Sequence, residues 1–257
     1  MVKVMIDPGH GGHDLGVSAY DMTEKALVLD ISQQAKGILE SEYEGVEVRL
    51  TRSNDRFIQL SDRARMARDW GADFFVSVHL NAFNGSANGI ETFMHNNSSA
   101  SAELREALHR QIKSHIEQHD RITDRGLKQA NFSVLRNTYQ SMYSVLTESL
   151  FLDNANDAEL LKQEQVITDI ARGHARGIVE AAGLTRKSSE SENEEEDDEM
   201  KLENWQWEQM AEKVKDMEDE GLLDEGRWHE AVKNHELSNS ELTWLTFIIA
   251  SRQALVK

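Results

Sequence analysis

The chain has 257 residues, enough for one large core or for one core plus a small appendage. Its net charge of −18 leaves it without the clustered Lys and Arg that gripping nucleic acid requires. Cysteine is absent, which excludes disulfides, cysteine nucleophiles and iron–sulfur clusters, and no apolar run approaches the ~18 residues of a membrane helix.

Met1 leads directly into Val2–Ile6, a β-rich run too short and unflanked for a secretory leader, so synthesis and folding in the cytoplasm are expected. Glu24–Leu39 places Leu27, Ile31, Ala35 and Ile38 on one helical face. Val46–Leu50 reads as a strand and Leu60–Trp70 as a helix. Phe74–Val78 is a near-continuous apolar run, the signature of a strand buried on both faces. Gly89–Met94 and Tyr143–Glu148 read as further strands, Ala102–His119 as an amphipathic helix, and Ala158–Ala182 as a helix stopped by Gly183. This alternation predicts an α/β fold, a mixed, mostly parallel sheet flanked by helices, over residues 1–184.

Residues 185–200 carry no apolar periodicity, and positions 190–199 hold eight acids and no base. Such a tract cannot bury enough surface to offset its chain entropy and reads as an extended, self-repelling linker. Residues 201–257 hold four of the five tryptophans. Trp207, Met210, Val214 and Met217 share one helix face, and Leu242, Leu245, Ile249 and Arg252 mark a second helix. A small all-helical C-terminal domain is expected, binding cell wall or self-associating. Trp205, Trp207, Trp228 and Trp244 either stack on sugars or fill a small core.

The densest chemical signal is Asp7-Pro8-Gly9-His10-Gly11-Gly12, directly after the first strand. In open α/β sheets ligands bind beyond the carboxyl ends of strands. A plain β-turn with an exposed histidine remains the alternative. His79 follows the buried Phe74–Val78 run, so parallel neighbours bring His10 and His79 to one rim. Glu24 opens the next helix, where an acid also serves simply to offset the helix dipole. Together His10, Glu24 and His79 make a nitrogen–oxygen–nitrogen donor set with a fourth position open, the pattern of a catalytic zinc. Glu148 ends an apolar strand and is placed to take a proton from water; Glu91, in the strand beside His79, is the second candidate. Asn81 and Arg136 are candidate substrate contacts.

Asp7–Gly12, Glu24-Lys25, Thr51-Arg52, Ser77–Ala82, Val134-Leu135-Arg136 and Leu146-Thr147-Glu148 occur in the order and spacing of a known family. Residues 2–183 resemble the zinc-dependent N-acetylmuramoyl-L-alanine amidases of the amidase-3 family. Within it they are most similar to the short Bacillus enzymes, mother-cell wall amidases of sporulation and related phage endolysins. Ala72-Asp73-Phe74-Phe75 and Ala171–Ala175 strengthen the likeness. The resemblance implies zinc on His10, Glu24 and His79, Glu148 as catalytic base, and hydrolysis of the amide between the lactyl group of N-acetylmuramic acid and L-alanine. It also implies peptidoglycan as substrate and action on the wall after release. Rival readings are a zinc peptidase or carboxypeptidase acting elsewhere on the stem peptide, and a non-catalytic wall-binding protein. The chain departs from the family at Asp14-Leu15-Gly16, where Asp-Pro-Gly is usual, at Gln140-Ser141-Met142 and at Ser149-Leu150. None of these removes a proposed ligand.

Overall fold

The computed structural model describes residues 1–187, 204–219, 223, 227–234, 237 and 245. The chain divides into two units, Met1–Lys187 and Ser188–Lys257. Most of the expected 185–200 linker lies outside the described residues, as do Leu242, Ile249 and Arg252 of the expected second tail helix.

The first unit runs β1 (Val2–Pro8), a small hairpin of β2 (Ser18–Ala19) and β3 (Met22–Thr23), α1 (Glu24–Glu42), β4 (Val46–Leu50), α2 (Leu60–Trp70) and β5 (Phe74–Asn81). It continues through β6 (Ile90–Met94), α3 (Ala102–Ile116), β7 (Asp124–Gln129), α4 (Ser133–Arg136), β8 (Tyr143–Phe151), α5 (Ala155–Leu161) and α6 (Glu164–Ala182). Six strands form one sheet in the order β4-β1-β5-β8-β6-β7. The first four are parallel, and β6 runs antiparallel to β8 with β7 parallel to β6.

Side-chain alternation explains why β1 and β5 read as unbroken apolar runs. Val4 and Ile6 of β1 join Val76 and Val78 of β5 under α1, α3 and α6. Met5 and Phe75 point the other way, onto Ala67 of α2 and onto Val134 and Leu135 of α4. Both faces are covered, so these strands are mostly apolar before the functional rim, with Lys3 and Ser77 hydrogen-bonded to Trp70 O and Asp7. The second face carries the shorter helices α2 and α4, and on that face the site lies open.

The structure corrects several boundaries. β5 extends to Asn81 and β8 to Phe151, so His79 lies within a paired strand and not just past it, and Glu148 lies inside β8 and not at its end. The single helix expected over Ala158–Ala182 is two helices, α5 and α6. Leu161 and Ile170 are both buried, yet nine residues of one continuous helix set them about half a turn apart. The break at Lys162–Gln163 lets both face the core, and the Asn154 side chain caps α5 by accepting from the amides of Asn156 and Asp157. β7 escapes a periodicity search because Asp124-Arg125-Gly126-Leu127-Lys128-Gln129 does not alternate, as an exposed edge strand permits.

In the second unit, α7 (Asn204–Asp219) and α8 (Arg227–Lys233) are described. Val214, Val232 and Leu245 form a small core against which Trp207, Met210 and Trp228 pack. The Glu218 carboxylate accepts from the amides of Trp228 and His229 at the start of α8. Among the described residues no helix is long and apolar enough to cross a membrane.

Candidate metal centre

The loop after β1 is held from below by two buried arginines. The Gly9 amide continues the sheet by donating to Val78 O at 3.0 Å. His10 then adopts φ +59°, a conformation that side-chain-bearing residues avoid. The Arg63 guanidinium, from α2, donates to the carbonyls of Pro8 at 2.6 Å and His10 at 2.6 Å and to Asp7 Oδ1 at 2.8 Å. Arg52 donates to Pro8 O at 3.1 Å, Gly9 O at 2.7 Å and Lys25 O at 2.7 Å. The buried Asp7 carboxylate also accepts from Thr51 and Ser77. Every partner in this network is bonded, so burying two arginines and an aspartate is tolerated.

The His10 ring is fixed at both nitrogens. Asp14 Oδ1 lies 2.9 Å from Nδ1, and Nε2 lies 3.1 Å from Glu24 Oε2. Glu24 is buried at the start of α1 and accepts from the Val17 amide at Oε2 and the Leu80 amide at Oε1. Its Oε1 also meets His79 Nδ1 at 2.9 Å. Burial alone raises a carboxyl pKa, but the bonds to His10 and His79 outweigh it and hold Glu24 far below the usual carboxylate range. For His10, burial works against the charged ring, and the Glu24 and Asp14 carboxylates prevail and raise its pKa.

The two imidazole rings meet edge to face, their centroids 5.0 Å apart. One donor atom from each of His10, Glu24 and His79 falls within 4.8 Å of the other two, a group that can hold a metal ion. Gly9 makes room for it: a Cβ there would stand 2.3 Å from the His79 ring. Two neutral nitrogens and one anionic oxygen fit a borderline divalent cation with a coordination position to spare.

Glu148 stands next to His79 as its register partner across β5 and β8. Its Oε2 is buried with no hydrogen-bond partner among the described residues, which leaves it available to a ligand or a proton. Burial, followed by the charges of Glu24 and Glu91, pushes the Glu148 pKa well up. Glu91 lies across from Glu148 in β6, but its oxygens are occupied by Asn81, Arg125 and Lys128. Burial would raise the Glu91 pKa; those partners lower it instead.

A cavity of about 590 Å³ opens over these groups, lined by His10, Glu24, His79, Asn81 and Glu148 among others. Asn81 therefore faces the site, with its amide donating to Glu91. Arg136 does not line the cavity; its exposed guanidinium donates to Asn131 O at 3.2 Å. The remaining histidines of the first unit stay outside the centre. His13 is exposed and packs on Phe57. His109 is buried between Thr92 and Asp124, and His174 is buried between Thr147 and Ile170 O. Asp14, Arg52 and Arg63 are the contributors that residue typing overlooks, since only the folded loop shows what each one holds.

Two histidines and a glutamate converging on the rim of a mainly parallel sheet, with a buried carboxylate alongside, define a hydrolase of the α/β class. The family model of N-acetylmuramoyl-L-alanine amidase matches residues 4–180, and the chain belongs to that family. It is 48% identical over 191 residues to the endolysin of Bacillus phage SPP1, covering 73% of this chain and 69% of the relative. It is 41% identical over 189 residues to the sporulation-specific N-acetylmuramoyl-L-alanine amidase of Bacillus subtilis, covering 74% of this chain and 71% of the relative. Among solved structures it is similar to the catalytic domain of CwlV, an N-acetylmuramoyl-L-alanine amidase from Bacillus (Paenibacillus) polymyxa var. colistinus. The TM-score is 0.67 at 34% identity, covering 72% of this chain and all of that domain.

Proposed function

We propose that the chain hydrolyses the amide between the lactyl carbonyl of N-acetylmuramic acid and L-alanine, with zinc held by His10, Glu24 and His79 and with Glu148 as general acid and base. The observation that carries this reading is the convergence of the three donor groups beside the unpartnered Oε2 of Glu148. Zinc in that donor set supplies Lewis acidity, polarising a carbonyl oxygen and acidifying water.

Glu148 Oε2 takes a proton from the attacking water, whose oxygen bonds to the lactyl carbonyl carbon. The C–N bond breaks and Glu148 returns the proton to the departing alanine nitrogen, leaving a lactyl carboxylate and a new amino terminus. A pKa lifted by burial suits that second half of the task. Glu91 is a poorer base because its oxygens are already engaged. Asn81 borders the reacting amide, whereas Arg136 lies too far out on the rim for the chemistry and is left for the peptide.

The test is end-group analysis of purified walls digested with and without a chelator. New amino-terminal L-alanine that vanishes on chelation and returns with zinc supports the reading. Other new termini point to a zinc peptidase, and lysis by exhaustively metal-free protein removes the metal from the mechanism.

Residues 1–184 form the catalytic part in this reading, 185–200 a spacer and 201–257 an accessory helical part. Residues 1–184 alone are then expected to cleave soluble muropeptide at near full rate. Wall-dependent pelleting of a 201–257 fragment supports targeting by effective concentration, whereas a dimer in solution without wall binding supports self-association.

A further inference from the structure

We propose that Phe57 and Gln59 form the subsite for an N-acetylated sugar ring of the substrate, a step that rests on the amidase reading above. Large apolar side chains left exposed among the described residues are few, and Phe57, Leu60 and Phe132 all line the one cavity over the metal centre. They come from two lining segments: Phe57 to Leu60, termed the Phe57 wall, and Phe132 to Val134, termed the Phe132 wall.

The Phe57 wall is built rigid. Gly11 and Gly12, directly after His10, let the Arg56–Phe57 backbone lie against the His10 loop. A Cβ on Gly11 would stand 2.2 Å from Arg56 O, and one on Gly12 would stand 2.7 Å from Phe57 N. The buried Arg63, which also holds the His10 carbonyl, donates to Ile58 O at 3.1 Å. The Phe57 ring packs on His13, the centroids 4.1 Å apart, while the residue remains 36% exposed. An exposed aromatic ring that cannot collapse onto its own neighbours is held ready for a flat apolar partner. Gln59 sits at the N-cap of α2 without making a capping bond, so its amide is available to a hydroxyl or an acetamido group.

Charge decides which half of the substrate lies here. The family's substrate joins an uncharged N-acetylated sugar to a peptide that carries carboxylates. The Phe57 wall carries the Asp14 carboxylate, which lines the cavity, whereas Asp55 is paired with Lys25 and Arg56 donates to Thr51 O. Arg63, the cation that lines this side, is consumed by Asp7 and backbone carbonyls. On the Phe132 side the exposed Arg136 guanidinium follows Val134 closely, while Arg125 and Lys128 are both held by Glu91. The anionic peptide is thus directed to the Phe132 wall and the neutral sugar to the Phe57 wall.

The test compares two soluble substrates on the full chain: a muramoyl peptide, and the same peptide amidated with D-lactate and lacking the sugar. The expected result is that Phe57→Ala lowers the ratio of kcat/KM between them by about tenfold, through KM, and that Phe57→Tyr restores it. A drop in the folded fraction scales both rates alike and cancels in the ratio. Binding of N,N′-diacetylchitobiose, a neutral sugar without peptide, should perturb aromatic signals of the wild type but not those of Phe57→Ala. An unchanged ratio, or a wild type that cleaves both substrates equally, overturns the subsite. Failure of the wild type to release amino-terminal L-alanine from the muramoyl peptide overturns the amidase reading itself.

Discussion

Asp14 Oδ1 lies 2.9 Å from Nδ1 of His10, on the opposite side of the ring from Glu24. The contact lets His10 Nδ1–H donate to Asp14, so that Nε2, which meets Glu24 in this structure, is the ring nitrogen that would ligate the metal. The same carboxylate accepts from the Gly16 amide, and the Gly11–Asp14 bridge closes the loop around it. Carboxylates in this relation to a ligating histidine typically contribute ~10–100-fold in metal affinity. Asp14→Ala should lose zinc affinity by that order in a chelator competition. Its side chain is 43% exposed, so the metal-free melting temperature should change little.

Glu148→Ala is expected to retain bound zinc and to lose ~10²–10⁴-fold in rate. Metal content by elemental analysis, set beside the rate on soluble muropeptide, separates a lost base from a lost metal. Glu91→Ala should keep far more of its activity, and if it proves the dead variant the base has been misassigned.

Gly9→Ala isolates a purely steric requirement. The backbone there does not need the left-handed region, so the added methyl acts only by standing 2.3 Å from His79 Cε1. The ring must turn away from Glu24, and zinc affinity should fall on the order of tenfold or more while the fold persists. Zinc binding by Gly9→Ala equal to that of the wild type would show that the ring has room to spare.

His174 supplies a pH dependence of stability remote from the metal. Burial under β8 lowers its pKa from 6.5 to about 4, against the opposing bond to Ile170 O. The unfolded chain takes up this proton near 6.5 and the folded protein only near 4. The contribution is therefore complete above 6.5 and drains away as pH falls towards 4, by about 3 kcal/mol in all. Urea unfolding of His174→Gln between these limits should show a shallower loss than the wild type.

Much of the fold was legible because its determinants are local. The strand Val46–Leu50 and the helix Leu60–Trp70 appear with the expected bounds, since apolar period and helix stop both lie in the segment itself. The extra length of β5 and β8 was not legible, because nothing local marks His79-Leu80-Asn81 or Ser149-Leu150-Phe151 as strand until a neighbouring strand pairs with them. His10, Glu24 and His79 were found through motif spacing and come together as that spacing implied. Nothing within Leu60–Trp70 marks Arg63 for burial. Its burial beside Asp7 depends on a contact 56 residues away, which no local pattern encodes.

The two arginines beneath the His10 loop have one more consequence. With the carbonyls of Pro8, Gly9 and His10 all tethered, the loop has almost no slack left to lose when an ion arrives. Such a socket does not need its plug to keep its shape. On the zinc reading proposed above, metal-free protein is therefore expected to keep its loop geometry and to recover activity on adding zinc without a refolding step.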